Sequence, residues 1–115
     1  MSAMPHLSAA SQVQEGMKEW GEIPPLSGVP SQTRGILLHK NNDGGEAGLW
    51  VCTPGIWRCD VSRDEFCHFL AGECEYEHES GERLMIRADC SVFFPAGWKG
   101  VCRVHKTVRK VYMIR

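Results

Sequence analysis

The stretches Glu65-Phe66-Cys67-His68-Phe69-Leu70-Ala71-Gly72 and Phe94-Pro95-Ala96-Gly97 decide the fold. In an extended chain successive side chains point to opposite faces, so Glu65, Cys67 and Phe69 share one side and Phe66, His68 and Leu70 the other. Gly72 closes the run with a residue free to take the backbone angles of a strand corner. The second stretch ends at Pro-Ala-Gly, where proline withdraws a ladder donor and glycine supplies a positive φ. Short strand-like runs that end in such turn signals point to β-structure rather than to helices.

Outward from these stretches the chain repeats short apolar runs separated by turn signals, the pattern of a sandwich or barrel. Strands are expected at 34–39, 48–53, 56–61, 65–71, 73–78, 84–87, 91–94, 101–105 and 109–115. Segment 14–20 suits one or two helical turns. Pro24, Pro25, Gly28 and Pro30 keep 21–32 extended, with Trp20 as an anchor. Residues 1–14 are rich in Ser, Ala and Gln, so the expected division is a flexible arm over 1–20 and a barrel over 21–115. Asn41-Asn42-Asp43-Gly44-Gly45 reads as a loop. A turn at Pro54-Gly55 would pair Cys52 with Trp57 and Trp50 with Cys59, all on one face. A three-residue loop around Ser80-Gly81 would set Tyr76 against Ile86. Glu73, Glu75, Glu77 and Glu79 then form a solvated face that also discourages edge pairing.

At 115 residues the chain is long enough for one domain with a real core. A net charge of −1 excludes the broad basic field of a nucleic-acid or lipid binder. Arg58, Arg63, Lys99, Arg103 and Lys106 make no aromatic-interleaved stripe, which argues against nucleic acid as a partner. No apolar run approaches the roughly 18–20 residues of a membrane helix. Residues 1–10 lack the charged start and apolar centre of a secretory signal, so a cytoplasmic location is expected. In that compartment Cys52, Cys59, Cys67, Cys74, Cys90 and Cys102 are expected as free thiols that pack like small apolar groups. No C-x2-C pair is present to suggest structural zinc.

The two opening stretches resemble the two cupin motifs, G-x5-H-x-H-x(3,4)-E-x6-G and G-x5-P-x-G-x2-H. The resemblance implies an all-β double-stranded β-helix, the jelly-roll barrel, in which three histidines and a glutamate converge on a metal. Glu65 stands at the glutamate. The first two histidine positions hold Cys59 and Val61 with a three-residue gap, or Arg58 and Asp60 with a four-residue gap. The third holds Gly100, and Asp89 replaces the glycine that opens the second motif. Over roughly 20–115 the chain is similar to the small (S)-ureidoglycine aminohydrolase-like cupins. It shares a tryptophan strand with Thr53-Pro54-Gly55, the strand of Glu65, the Phe-Pro-x-Gly corner and Val108-Arg109-Lys110-Val111-Tyr112. The namesake of that group is a manganese-dependent aminohydrolase with more than one cupin module. This chain has one module without the ligand set, so neither that activity, nor a metal, nor a cofactor is carried over.

In a cupin barrel Glu65 points inward, as a ligand anchor or general acid/base, with Tyr112 as a hydrogen-bond donor at the mouth. Trp50, Trp57, Cys59, Cys67, Phe69, Phe94 and Trp98 would join Glu65 around a small polar metabolite. The plainer alternatives are a Glu65 satisfied by Tyr112 or Arg58 and aromatics that only fill the core. By fold analogy a homodimer is expected. Two further functions stay open: a metal-assisted, aminohydrolase-like enzyme using Glu65 with unusual ligands such as Cys59 or His105, and a dimeric interaction module with a filled barrel.

Overall fold

The computed structural model describes residues 4–115, which form eight strands and no helix among the described residues. The strands are β1 (Lys18–Ile23), β2 (Ser31–Lys40), β3 (Glu46–Cys52), β4 (Gly55–Asp60), β5 (Glu65–His78), β6 (Arg83–Arg87), β7 (Cys90–Phe94) and β8 (Lys99–Ile114). All pairings are antiparallel. The two long strands, β5 and β8, pair from Glu65↔Ile114 to His78↔Gly100. Their register breaks between Phe69 and Cys74, where Gly72 sits at a φ of 93°. Bulges there bend both strands, so each serves two facing sheets. One sheet runs β1-β2-β3-β8-β5-β7 and the other β4-β8-β5-β6. The all-β jelly roll expected from the motifs is the fold observed.

Sequence reading split β5 and β8 in two, because Gly72 and the 106–108 region look like ends. The bulge turns the corner without ending either ladder. The expected Pro54-Gly55 hairpin does not form. β3 and β4 lie end to end along the same edge of β8, with Cys52 opposite Val108 and Gly55 opposite Val104. Pro54 falls between them, where no ladder donor is needed. The second hairpin has its three-residue loop, with Gly81 at a φ of 95° and the His78 N–H bonded to the Glu82 carbonyl at 2.8 Å. Its register sets Tyr76 against Leu84 and Cys74 against Ile86. That differs from expectation by an even step, so Tyr76 and Ile86 both still face the core.

Segment 14–20 forms no helical turn; β1 occupies its end and crosses the expected arm–barrel boundary. The Trp20 ring lies over Gly35, where a Cβ would come within 2.4 Å of it. Further back, Arg109 Nη1 donates to the carbonyls of Ala10 at 3.1 Å and Val13 at 2.9 Å. The arm is thereby tied to the outer face of the first sheet, where Leu49 and Val51 are buried. The acidic face is also more structured than expected. Arg103 bridges Glu75 and Glu77 at 3.3 and 2.9 Å, and Lys106 bridges Glu73 at 3.3 Å.

Between the sheets lie Cys52, Cys67, Phe69, Cys74, Ile86, Cys102 and Val108, all essentially inaccessible. All six cysteines are free. Burial pushes the thiols of Cys52 and Cys59 up to about 11 and that of Cys67 up to about 12. The reactive thiolate is therefore scarce in the native state at neutral pH. Native protein at pH 8 is expected to react slowly with iodoacetamide at these three cysteines, whereas denatured, unreduced protein titrates all six; peptide mass mapping over time reads this. Because the folded values exceed the unfolded one, the stability from these neutral thiols is complete below the unfolded thiol pKa and is lost as pH rises toward the folded values. Rapid native alkylation at Cys67 would contradict the burial argument.

Candidate functional site

β3 and β4 run head to tail, so alternate residues Trp50, Trp57 and Cys59 project to the same interior as Glu65 from β5 and Lys110 from β8. Together with Tyr76 and Phe94 they line a cavity of about 420 Å³ at one end of the barrel. Its aromatic wall is built of two edge contacts, Trp50 to Trp57 at 6.3 Å and Trp57 to Tyr76 at 6.4 Å, and a tilted one, Tyr76 to Phe94 at 4.8 Å between ring centroids.

On this apolar wall sits one ion pair. Lys110 Nζ donates to Glu65 Oε2 at 2.6 Å, with the two side chains 8 % and 19 % exposed. The ammonium also lies 4.6 Å from the Trp50 ring centroid, and 5.6 Å from those of Phe69 and Phe94. Desolvation opposes the charge on Lys110, but the attraction of the Glu65 carboxylate and the hydrogen bond to it outweigh that penalty and lift the lysine above its ordinary value. Lys110 is charged at neutral pH.

At the rim, Tyr112 donates its hydroxyl to Glu46 Oε2 at 2.6 Å rather than to Glu65. Burial, then Glu46, pushes the phenol well above its ordinary value, so it remains a donor. Arg63 straps the mouth, its Nη1 bonded to the Asp43 carbonyl at 2.7 Å and its Nε to the Arg115 carbonyl at 2.9 Å. Asp64 pins the Pro95-Ala96-Gly97 corner by accepting from the Ala96 N–H at 2.9 Å, which holds its carboxyl below the usual range. In that corner Trp98 N–H bonds to the Pro95 carbonyl, with Gly97 at a φ of 93°.

A sequence profile of the EutQ-like cupin domain matches residues 40–112. The chain belongs to this family. Solved cupins share its fold. An ethanolamine utilization protein Q of Salmonella typhimurium LT2 is 24% identical, with a TM-score of 0.62 over 75% of this chain and 69% of that one. A Pseudomonas syringae pv. tomato protein of unknown function, in the DUF861 family, reaches a TM-score of 0.78 at 19% identity. That match covers 86% of this chain but only 44% of the larger protein. A Thermotoga maritima DUF861 family protein is 27% identical, with a TM-score of 0.57 over 58% of this chain and 76% of that one. No curated protein matches.

Within this cupin the expected site residues divide. Trp50, Trp57, Cys59, Glu65 and Phe94 line the cavity. Cys67 and Phe69 are fully buried behind its wall. Trp98 packs on Phe94 and Tyr76, beside a separate cavity of about 190 Å³. Tyr112 faces Glu46, and Arg58 pairs with Asp60 at 3.3 Å on the outside. The partner of Glu65 is therefore neither Tyr112 nor Arg58 but Lys110. Missed in the sequence were Lys110, Tyr76 and the strap Arg63. The available signal for Lys110 was its place two residues before Tyr112, once β8 is set between β3 and β5 so that Trp50, Lys110 and Phe69 align.

The donor set does not suit the metal that cupins commonly hold. Cys59 and Val61 point inward at the first two histidine positions. Position 100 has no room for a side chain, because a Cβ would meet the Glu77 carbonyl oxygen at 2.1 Å. The one retained ligand, Glu65, already binds a cation, the Lys110 ammonium. His105 is exposed, and no group of three or more His, Cys, Asp or Glu side chains converges among the described residues. Nor is any helix there long and apolar enough to cross a membrane.

Proposed function

We propose that this EutQ-like cupin domain binds a small polar metabolite in the barrel, with Glu65 and Lys110 as its anchors. The observation that carries this reading is a largely buried ion pair with spare hydrogen-bonding capacity on the aromatic wall of a 420 Å³ cavity. Pockets of about 300–1,000 Å³ with apolar walls and a few convergent polar groups are typical small-molecule sites. The same cavity argues against an interaction module with a filled barrel. The likeness to the (S)-ureidoglycine aminohydrolase-like cupins is, on the evidence of Gly100 and Lys110, one of scaffold rather than of metal chemistry. A metabolite library screened by thermal shift tests the proposal. A ligand is expected to raise the melting temperature of the wild type and to lose that effect on Glu65→Gln. A hit that acts equally on wild type, Glu65→Gln and Lys110→Met, or a library without hits, would count against the site.

Self-association is a second proposal, carried by a different observation. Phe66, Phe93 and Met113 are 54–60 % exposed and directly opposite one another on the outer face of the first sheet. This row adjoins the part of the face that the arm covers, and large exposed apolar patches mark interaction sites. A second copy of the chain fits it, since a two-fold interface needs only one self-complementary patch. Light scattering is expected to give a dimer for the wild type and a monomer for Phe66→Lys. A monomeric wild type at high concentration would exclude this.

A further inference from the structure

The nature of the ligand can be argued one step further, resting on the cavity proposed above. We infer that the site selects net-neutral molecules with an adjacent hydrogen-bond donor and acceptor on a flat apolar body, such as an aromatic carboxamide.

Charge balance leads to this class. Of the charged groups around the cavity, three already have partners that are not the ligand. Glu46 accepts from Tyr112, Asp60 is bridged to Arg58, and Arg63 is spent on two backbone carbonyls. Glu65 and Lys110 are left facing the interior, and they neutralise each other at 2.6 Å. A carboxylate ligand drawn to Lys110 would be held close to Glu65, and an ammonium drawn to Glu65 would be held close to Lys110. Either would bring a net charge into a site whose own charges already cancel, against a Lys110 side chain that is 8 % exposed. A neutral donor–acceptor group meets no such repulsion. Its N–H can reach Glu65 Oε1 and its carbonyl can take an N–H of Lys110; among the described residues Oε1 accepts from no protein group and the Lys110 ammonium bonds only to Glu65. The pair remains intact and is bridged rather than broken.

The wall supplies the second half of the argument. Trp50 and Trp57 stand at 77° to one another, and Trp57 and Tyr76 at 89°. Such crossed rings form a corner, one side of which offers a flat body a ring face and the other a ring edge.

Benzamide, benzoate and benzylammonium share ring and size and differ in charge, so they serve as probes. Their dissociation constants are measured by ligand-observed NMR on wild type, Glu65→Gln and Lys110→Met. Wild type is expected to hold benzamide about ten-fold more tightly than either ion, the ratio that 1.4 kcal/mol gives. Glu65→Gln, left with a lone ammonium, should turn the preference toward benzoate, and Lys110→Met toward benzylammonium. The wild-type ranking needs no variant, so a variant that fails to fold leaves the test in place. Benzoate or benzylammonium binding wild type as well as benzamide does would overturn the inferred class and leave the cavity proposal standing. If no probe binds while library hits do, the class falls alone; if neither binds, both proposals fall.

Discussion

Glu65→Gln is expected to destabilise the fold by about 3 kcal/mol, at the lower end of what breaking one side of a buried ion pair costs. The reason is the group left behind. Lys110, 8 % exposed, would keep its charge with only aromatic faces and a neutral amide around it. For a domain near 100 residues, such a loss lowers the melting temperature by on the order of 10–20 °C. Lys110→Met should cost less, since the Glu65 carboxylate is 19 % exposed and keeps part of its hydration. The double variant Glu65→Gln/Lys110→Met removes both charges and should recover most of the loss, because the penalty belongs to the orphaned charge rather than to the pair. The pH dependence has a definite sign. The folded lysine value is raised, so its contribution is complete below the ordinary lysine pKa of about 10.4 and is lost as pH rises through the higher folded value. The gap between wild type and Glu65→Gln in urea titrations should therefore be wide near neutrality and close only at strongly alkaline pH. A Glu65→Gln variant within about 0.5 kcal/mol of wild type, the range of ordinary surface changes, would show that the pair is not held as described.

What could be read from the sequence followed local rules. Glu65, Cys67 and Phe69 face inward because strand alternation has a period of two, and that holds whatever the strand pairs with. Asp89 replaces the motif glycine with a residue type that can also adopt the turn conformation, and its φ is 69°. What could not be read depends on partners far along the chain. Pro54-Gly55 looks like a hairpin until β8, some fifty residues on, offers one edge to both β3 and β4. Lys110 carries no local mark of burial, since its inward face is decided by alignment with Trp50 and Phe69. The arm looks loose in sequence because the group that holds its Val13 carbonyl is Arg109, 96 positions away. Cys67 and Phe69, expected at the cavity, were placed on the correct face but one layer too far forward. Alternation gives the side of a strand, while the depth of a residue is set by the bend of β5 and β8 around Gly72.

That bend carries the other large effect. Gly72→Ala is expected to cost at least about 3 kcal/mol, or to prevent folding, by the combined mechanisms of backbone strain and overpacking. Gly72 and Gly81 make a matched pair, since their φ values are 93° and 95°. At both, an alanine is forced into a region that L-residues avoid, worth roughly 1–2 kcal/mol. Around Gly81 nothing lies within 4 Å of an added Cβ, so Gly81→Ala measures that strain alone. Around Gly72 the same Cβ would stand 2.2 Å from the Thr107 carbonyl oxygen and 2.6 Å from the Val108 Cα. These are backbone atoms of β8 at its own corner, flanked by the Ala71↔Arg109 and Glu73↔Lys106 pairings, and they cannot move without disturbing both sheets. The difference between the two variants in urea denaturation is thus the steric part, expected at about 2 kcal/mol or more. Equal losses would mean that β8 gives way at Thr107. The corner would then be a flexible joint, and the placement of Glu65 against Lys110 would rest on the aromatic wall instead.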